Sequence, residues 1–467
     1  MKFVRSLADE IIFGTKAGVE DLIRAGADVN EIDVYGYTPL IESAIMNSAP
    51  IAEVLLRAGA KVDEADLTGR TALHWSVDNS NLTLSELLLK NKANPNSYSK
   101  GSQPILVKPL LRDQPEMKKL LYQYGADLRF AQDFISAKLL GHRYELTGQV
   151  DIVNTKGEFI ELDFEGFYLE FTLGIIQNSL RRYKNNFGAR HLRHYFRYIE
   201  EIIAALNVAS RLIKYQQYTY KVSDHEQEIN TLIDHPILII PVAHRGHAIT
   251  FIKFGNLFAK CDRGENSKRE GSVVIYNIRN PRAFTQNLVK ELIYKRQTPE
   301  FILNGYKRVL DLEPLMQLPV PPQITGNCSW ANVEAIIPTI LFLLLMTYRD
   351  PNAHRSTDSY VEEALNFYQQ WIDWDRDRSL DDCVKSFYTS SRARKASKAA
   401  ILAAILFQKF HYENPKDIER AEKIMPILSQ RDYRYVLNSY VEIFTKKFKT
   451  TSGFNLLKFI EDYESLH

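Results

Sequence analysis

GRTALHWSV, residues 69–77, followed by the leucine pair Leu87-Leu88 and by NKANPN at 91–96, is the stretch whose reading decides the fold of the first part of the chain. Its relatives stand at a fixed distance. AGADVN, AGAKVD, NKANPN and YGADLR begin at 25, 58, 91 and 124, each 33 residues after the one before. Between them fall GYTPLIESA (36–44), GRTALHWSV itself and a worn GSQPILVKP (101–109). A period of this length means a stack of similar helical units, none of which buries its apolar face alone. The Thr38-Pro39 pair starts the first helix of a unit, Leu55-Leu56 and Leu87-Leu88 pack the second, and glycine ends that second helix in a left-handed conformation.

The pattern resembles the ankyrin repeat, and Thr71-Ala72-Leu73-His74 is close to that family's signature tetrapeptide. Residues 1–142 are expected to hold three to four repeats, with a degenerate first one, a worn last one and a final helix over 130–140 (FAQDFISAKLL). The resemblance implies a protein partner. In this family the residue after the signature histidine lies on the inner helix, and here it is Trp75, matched by Glu42 one repeat earlier. Trp75 is either a binding anchor or a packing residue against the next repeat. Tyr35, Tyr37, Asp66 and Arg70 occupy the hairpin fingers, the family's usual contact positions. Leu22, Asp28 and Asn30 resemble the site that the cytosolic asparaginyl hydroxylase of animal cells modifies in ankyrin repeats, and Leu88 with Asn96 gives a poorer match. Asparagine at that position also supports the turn by itself.

A chain of 467 residues outgrows a single core, so two or three domains are expected. Its 45% hydrophobic and 25% charged residues are those of an ordinary soluble globular protein, and a net charge of +2 gives no field directed at nucleic acid, membrane or acidic substrates. Cys261, Cys328 and Cys383 are too few and too scattered for a disulfide framework, which points to reduced thiols in a cytosol-like compartment. The N-terminus lacks the apolar core of a secretory signal. IIPTILFLLLMTY, residues 336–348, is too short to span a bilayer and reads as a buried core helix. No phosphate-cradling glycine motif, Cys-x-x-Cys or His-x-x-x-His pair occurs, so neither cofactor nor metal is expected. RRYKNNFGARHLRHYFRY (181–198) mixes cations with aromatics as nucleic-acid binders do. The preferred reading is a helix with aromatics inward and arginines reaching solvent.

After about residue 145 the texture changes. VDIVNTKGEFIELDFEGFYLEFTL (150–173) alternates like strands about Thr155-Lys156-Gly157, and 178–214 is helical. Residues 236–254 and 257–260 read as strands joined at Gly255-Asn256, and 271–278 as one more. From Ser329 onward the chain reads as helical, with breaks at 349–358 and near Pro415. The expected domains are 1–142, 143–350 and a helical C-terminal region over 351–467.

Cys328, in QITGNCSWANVEAII, stands where a helix begins, and a helix N-terminus favours thiolate and offers free N–H groups to an oxyanion. A thiolate needs a base and a group to orient it. His247 opens the strand HAITFIKF, and Asp262 follows the next strand. Pairing about a centre near 254.5 sets 247 opposite 262. His244 is the alternative base and His235 reads as structural. Cys261 is expected to face the core and Cys383 to be inert.

The order His247, Asp262, Gln323, Cys328 is similar to that of the papain-like cysteine proteases of the clan that includes adenovirus and SUMO proteases. The resemblance implies an α+β protease-like domain, with Cys328 as nucleophile, His247 as general base, Asp262 as its orienter and Gln323 as oxyanion donor. Gly326 lies two rather than three residues before the cysteine, Ser329 follows it in place of glycine, and Trp330 does not match the usual aromatic after the histidine. The departures fall mainly on Gln323. The fold expected is α+β and multidomain: an ankyrin α-solenoid, a papain-like domain and a helical tail. This combination resembles the ankyrin effectors that intracellular bacteria inject into host cells. That implies secretion, action in host cytoplasm or nucleus on a bound host protein, and peptide or isopeptide hydrolysis or acyl transfer. The alternative is a pure interaction protein with an inactive protease-like scaffold.

Overall fold

The computed structural model describes residues 6–216, 221–244, 247–264, 267–324, 326–348, 356–447 and 450–466. Its first helices pair as the period requires: α1 (Leu7–Phe13) with α2 (Lys16–Arg24), α3 (Pro39–Ile45) with α4 (Ala49–Arg57), α5 (Ala72–Asp78) with α6 (Leu82–Lys90), and α7 (Val107–Leu111) with α8 (Pro115–Gln123). A longer helix, α9 (Leu128–Arg143), follows. The starts are capped by the residues that repeat. Thr38 Oγ1 accepts the Ile41 N–H with Pro39 at the first helical position, and buried His74 accepts the Thr71 N–H through Nδ1 at 3.0 Å. Gly26, Gly59 and Gly125 end second helices at φ 95, 91 and 90°, while the worn third copy puts Lys92 there at φ 70°.

The repeat's polar position has one task throughout. Asn30 Oδ1 accepts the Lys61 N–H, Asp63 Oδ1 the Asn94 N–H, and Asn96 Oδ1 the Asp127 N–H, all at 2.7–2.9 Å. Each such side chain ties its loop to the next unit's loop.

Residues 1–137 with 149–163 group as one unit, and 138–148 with 164–467 as a second. This differs from the expected boundaries at 142 and 350. The hairpin β1 (Gln149–Val153) and β2 (Phe159–Asp163) turns at Gly157 with φ 82° and belongs with the repeats, where Ser102 of the worn finger donates to the Glu161 carbonyl. Strand structure stops there. The expected continuation to 173 is instead the start of α10 (Leu169–Asn185), whose buried Leu173, Ile176 and Leu180 follow helical spacing.

The second unit continues with α11 (Phe196–Lys214) and α12 (Glu226–Ile233). A five-stranded antiparallel sheet follows, in the order β3 (Ile237–His244), β4 (His247–Phe254), β5 (Leu257–Cys261), β6 (Val273–Ile278) and β7 (Leu312–Leu318). The seventh strand, half-exposed along most of its length, was not expected. Interleaved are α13 (Ser267–Glu270), α14 (Gln286–Tyr294) and α15 (Tyr306–Leu310). Next come α16 (Cys328–Glu334), α17 (Ile336–Thr347), α18 (Thr357–Thr389), α19 (Arg392–Lys409), α20 (Pro415–Leu428), α21 (Arg434–Val441) and α22 (Thr451–Leu466).

Alternate strand residues feed two cores. Ile239, Ile252, Ala259, Cys261, Val273 and Ile275 pack with α10, α11, α16, α17 and the first half of α18. Leu238, Ile240, Phe251, Phe258 and Val274 pack with α12, α14 and α15. The helical stretch Cys328–Thr347 has the length and hydropathy to cross a bilayer, but 94% of its apolar window is buried in the fold, so it is the central core helix. Trp371 and Phe367 of α18 share the sheet's core, and for that reason no boundary falls at 350. Of the expected interruption at 349–358, residues 349–355 lie outside the described residues, and α18 has already begun at Thr357.

Candidate active site

Three elements converge on one point. α16 starts at Cys328, β4 starts at His247, and β5 ends just before Asp262. The Asp262 carboxylate meets His247 Nε2 at 3.1 Å and is almost wholly buried, and the His247 ring is partly exposed. The sulfur of Cys328 accepts the Ala248 N–H at 3.3 Å and is hydrogen-bonded to the His247 ring. The arrangement is a relay of carboxylate, imidazole and thiol.

The electrostatics suit a charged pair. The hydrogen bond to Asp262, then that to Cys328, raise His247 to about 10 against the opposing effect of burial. Burial pushes the Cys328 thiol up, but the His247 hydrogen bond and the Ala248 and Ser329 N–H groups outweigh it, so its acidity lies on the thiolate side of ordinary. Asp262 is likewise raised by burial and lowered by more from His247, Lys260 and the Gly264 N–H, and it stays ionised.

The register differs from the expected one. Leu257 pairs with Phe254 and Cys261 with Thr250, sums of 511 rather than 509, because the two-residue turn centres at 255.5. Extended along the same ladder, residue 264 rather than 262 comes level with His247. Position 264 is glycine, and a Cβ there would lie 2.6 Å from His247 Cε1 and 3.2 Å from Asp262 Oδ1. Asp262 reaches the ring from a bend beyond the strand end, where its N–H bonds Ser272 and its Oδ1 accepts from Gly264.

Gln323 lies on the extended segment 319–324. Its backbone N–H donates to the Arg263 carbonyl at 2.8 Å, and its Oε1 is buried without a hydrogen-bond partner. The oxyanion role therefore rests on no bond to the triad. Ser329 donates to the Phe167 carbonyl at 2.8 Å, and Trp330 stacks on His142 with centroids 5.6 Å apart, so the departures from the protease pattern are packed into the local fold. Arg263, buried beside Asp262, bonds Pro321 and Glu145, and its side chain lines a cleft of about 810 Å³ with Glu334, Tyr368 and Arg376. Burial first, against the pull of Arg263, raises Glu334 to about 7.

Cys261 is fully buried beside Thr339, and Cys383 is also buried. His235 bonds the Ile237 carbonyl, and the side chain of His244 lies outside the described residues. In the 181–198 segment Tyr183 and Tyr195 are buried, and the helix breaks into a 3-10 stretch over Phe187–Tyr195. Among the described residues no group of three or more His, Cys, Asp or Glu is placed to hold a metal.

On the repeats, Trp75 is half-buried. Its Nε1 donates to Asp66 at 3.0 Å, Arg70 covers its face at 3.9 Å, and Tyr37 meets it edge-on at 6.1 Å. Four of the five expected contact residues thus hold one another. Tyr35 stands free of that cluster, 69% exposed, on a finger surface with Ile32, Val34 and Leu67, three exposed apolar residues that sequence reasoning missed. Apolar residues at finger tips gain nothing from the fold, and that was the available signal.

The ankyrin-repeat family model matches residues 9–99 in three copies. No curated protein matches the chain. Among solved structures, that of the Legionella effector AnkH is 46% identical, covers 98% of this chain and 97% of that one, and superposes with a TM-score of 0.82.

Proposed function

The chain belongs to the family of the Legionella effector AnkH, and from that premise we propose that it is itself an effector, delivered into a host cell, that holds a host protein on its ankyrin repeats and acts on an acyl bond through Cys328. The observation that carries the enzymatic part is the convergence of Cys328, His247 and Asp262 from three separate elements, with the 3.1 Å carboxylate–imidazole bond.

In this reading the Cys328 thiolate attacks the carbonyl carbon of a peptide or isopeptide bond, and the S–C bond forms as the carbonyl electrons move to oxygen. His247, protonated, gives its proton to the leaving nitrogen as the C–N bond breaks. The thioester left on Cys328 is then opened by water, or by an amine in acyl transfer, with His247 taking the incoming proton. Asp262 holds the ring in place and favours its charged form. N–H groups at the start of α16, with Gln323 in support, meet the oxyanion. The finger surface of Tyr35, Val34, Ile32 and Leu67 is the recognition face, and its partner is a host protein.

The test is labelling with an electrophilic thiol probe near pH 6.5. Cys328 is expected to react while buried Cys261 and Cys383 do not, and the signal is expected to vanish in Cys328→Ala. In His247→Ala the rate is expected to fall by about 10²-fold or more. A Cys328 that reacts no faster than a free thiol, and is indifferent to His247, would leave an interaction protein on an inactive scaffold.

A further inference from the structure

Asn332 sits one helical turn beyond Cys328 on the same face of the core helix and has no exposed surface. Both ends of its amide are used. Oδ1 accepts the N–H of Arg263 at 2.6 Å, and Nδ2 donates to the carbonyl of Ala248 at 2.6 Å. Arg263 is the residue after Asp262, and Ala248 is the residue after His247. Ala248 also gives its own N–H, from the preceding peptide group, to the Cys328 sulfur, and the Arg263 carbonyl accepts the N–H of Gln323. One buried side chain therefore joins the helix carrying the thiol to the segments carrying the imidazole, the carboxylate and Gln323.

We propose that Asn332 is a positioning residue that sets the distance and orientation of His247 and Asp262 relative to Cys328. The proposal rests on the thiol-enzyme reading above and names the element that holds that site together. The chemistry leaves little choice of side chain. One partner is a backbone donor and the other a backbone acceptor, both buried, so the group between them must accept at one end and donate at the other. Aspartate offers only acceptors and leucine neither. Either change strands a buried peptide group, which relaxes by moving away, and the peptides that move adjoin the base and its orienter. Asn332 touches no reacting atom, so its effect passes through the geometry of its neighbours.

The experiment measures the pH dependence of iodoacetamide alkylation at Cys328, read by mass spectrometry on that peptide in the intact chain. Wild type, Asn332→Asp and Asn332→Leu are compared, with the thermal transition of each recorded. Wild type is expected to show a midpoint well below the ordinary thiol value of about 8.5. The variants are expected to stay folded, to move that midpoint upward by about one unit or more, and to lose about tenfold in rate at pH 6 while keeping the rate at pH 10. Folded variants with a wild-type midpoint would overturn the positioning role and leave the thiol-enzyme reading intact. An ordinary midpoint in wild type would instead overturn that reading, and this inference with it. Loss of the folded state in both variants would make Asn332 a residue of the fold alone and also refute the proposal.

Discussion

Cys328 draws its acidity from hydrogen-bond donors that come from different parts of the chain, His247 and Ala248 on β4 and Ser329 on its own helix. The lowering of its pKa is therefore only as robust as the contact between those elements. Gly264 tests this most directly. Gly264→Ala would press a methyl group 2.6 Å from His247 Cε1, and rotation of the ring away from Asp262 would relieve that contact. Alkylation of Cys328 at pH 6 is expected to fall by about tenfold with the thermal transition nearly unchanged; a variant as reactive as wild type would show that the ring tolerates the displacement. The sign of the pH effect is set by the depressed thiol. Reactivity of Cys328 is expected to persist to lower pH than that of an ordinary thiol, whereas in His247→Ala it should fall already below about 8.5. At this scale the meeting of Cys328, His247 and Asp262 was legible, because thiol, imidazole and carboxylate are side-chain chemistries at recognisable element ends. Asn332 and Gly264 were not. One acts through backbone bonds to positions 84 and 69 residues away, and the other through the absence of a side chain.

The repeat elements carry titratable groups of opposite sign. Glu42, buried on α3, is raised to about 7 by burial first and then by its hydrogen bond and repulsion with Asp33. A carboxyl whose folded pKa lies above its unfolded value stabilises fully below the unfolded value, and that stabilisation is lost as pH rises through 7. His74 is lowered to about 3 by burial, so its contribution is present above its ordinary value and lost as pH falls. The stretch α3–α5 should therefore be most protected between about pH 4.5 and 6.5, where the Glu42 loss and the His74 gain offset one another. Between pH 6.5 and 8.5, hydrogen exchange over residues 38–45 is expected to lose on the order of 1 kcal/mol of protection beyond the intrinsic rate change. Glu42→Gln should abolish that loss, and a loss that persists in Glu42→Gln would assign it elsewhere. The local readout matters because Glu334, on α16, is also raised to about 7. Repetition made these elements readable: Asn30, Asp63 and Asn96 recur at one spacing and make one kind of bond. Within the second unit the strands were harder to read. Both faces of the sheet are covered, so β3–β6 carry apolar residues on both faces instead of alternating, and β7, half-exposed and containing Pro314, lacks the signature of a buried strand.

At the scale of the whole molecule, the first half of α18 completes the sheet's core rather than opening a domain of its own. Tyr360, Phe367, Tyr368 and Trp371 of α18 lie in the same cluster as the sheet residues and the core helix, and Trp371 Nε1 donates to Ser179 at 3.1 Å. A chain ended at residue 350 exposes Ile340, Leu344 and their neighbours. It is expected to aggregate or to lose cooperative unfolding, and a sharp calorimetric transition in that fragment would show the core to be divisible. The C-terminal boundary was not visible in the sequence, because a change from mixed to helical texture looks the same whether the helices form their own core or close another. Local pattern by itself determined the ankyrin period, the helix starts, the turn at Gly255-Asn256 and the identity of the thiol, the imidazole and the carboxylate. Each of these is a relation between residues near in sequence, or a side-chain chemistry that does not depend on its neighbours. The register that sets Gly264 under His247, the Asn332 bridge, the mutual satisfaction of Trp75, Asp66 and Arg70, and the union of α18 with the sheet were decided only in the tertiary structure. They are fixed by which distant surfaces exclude water together, and a buried amide or ring takes its meaning from the groups that packing brings to it.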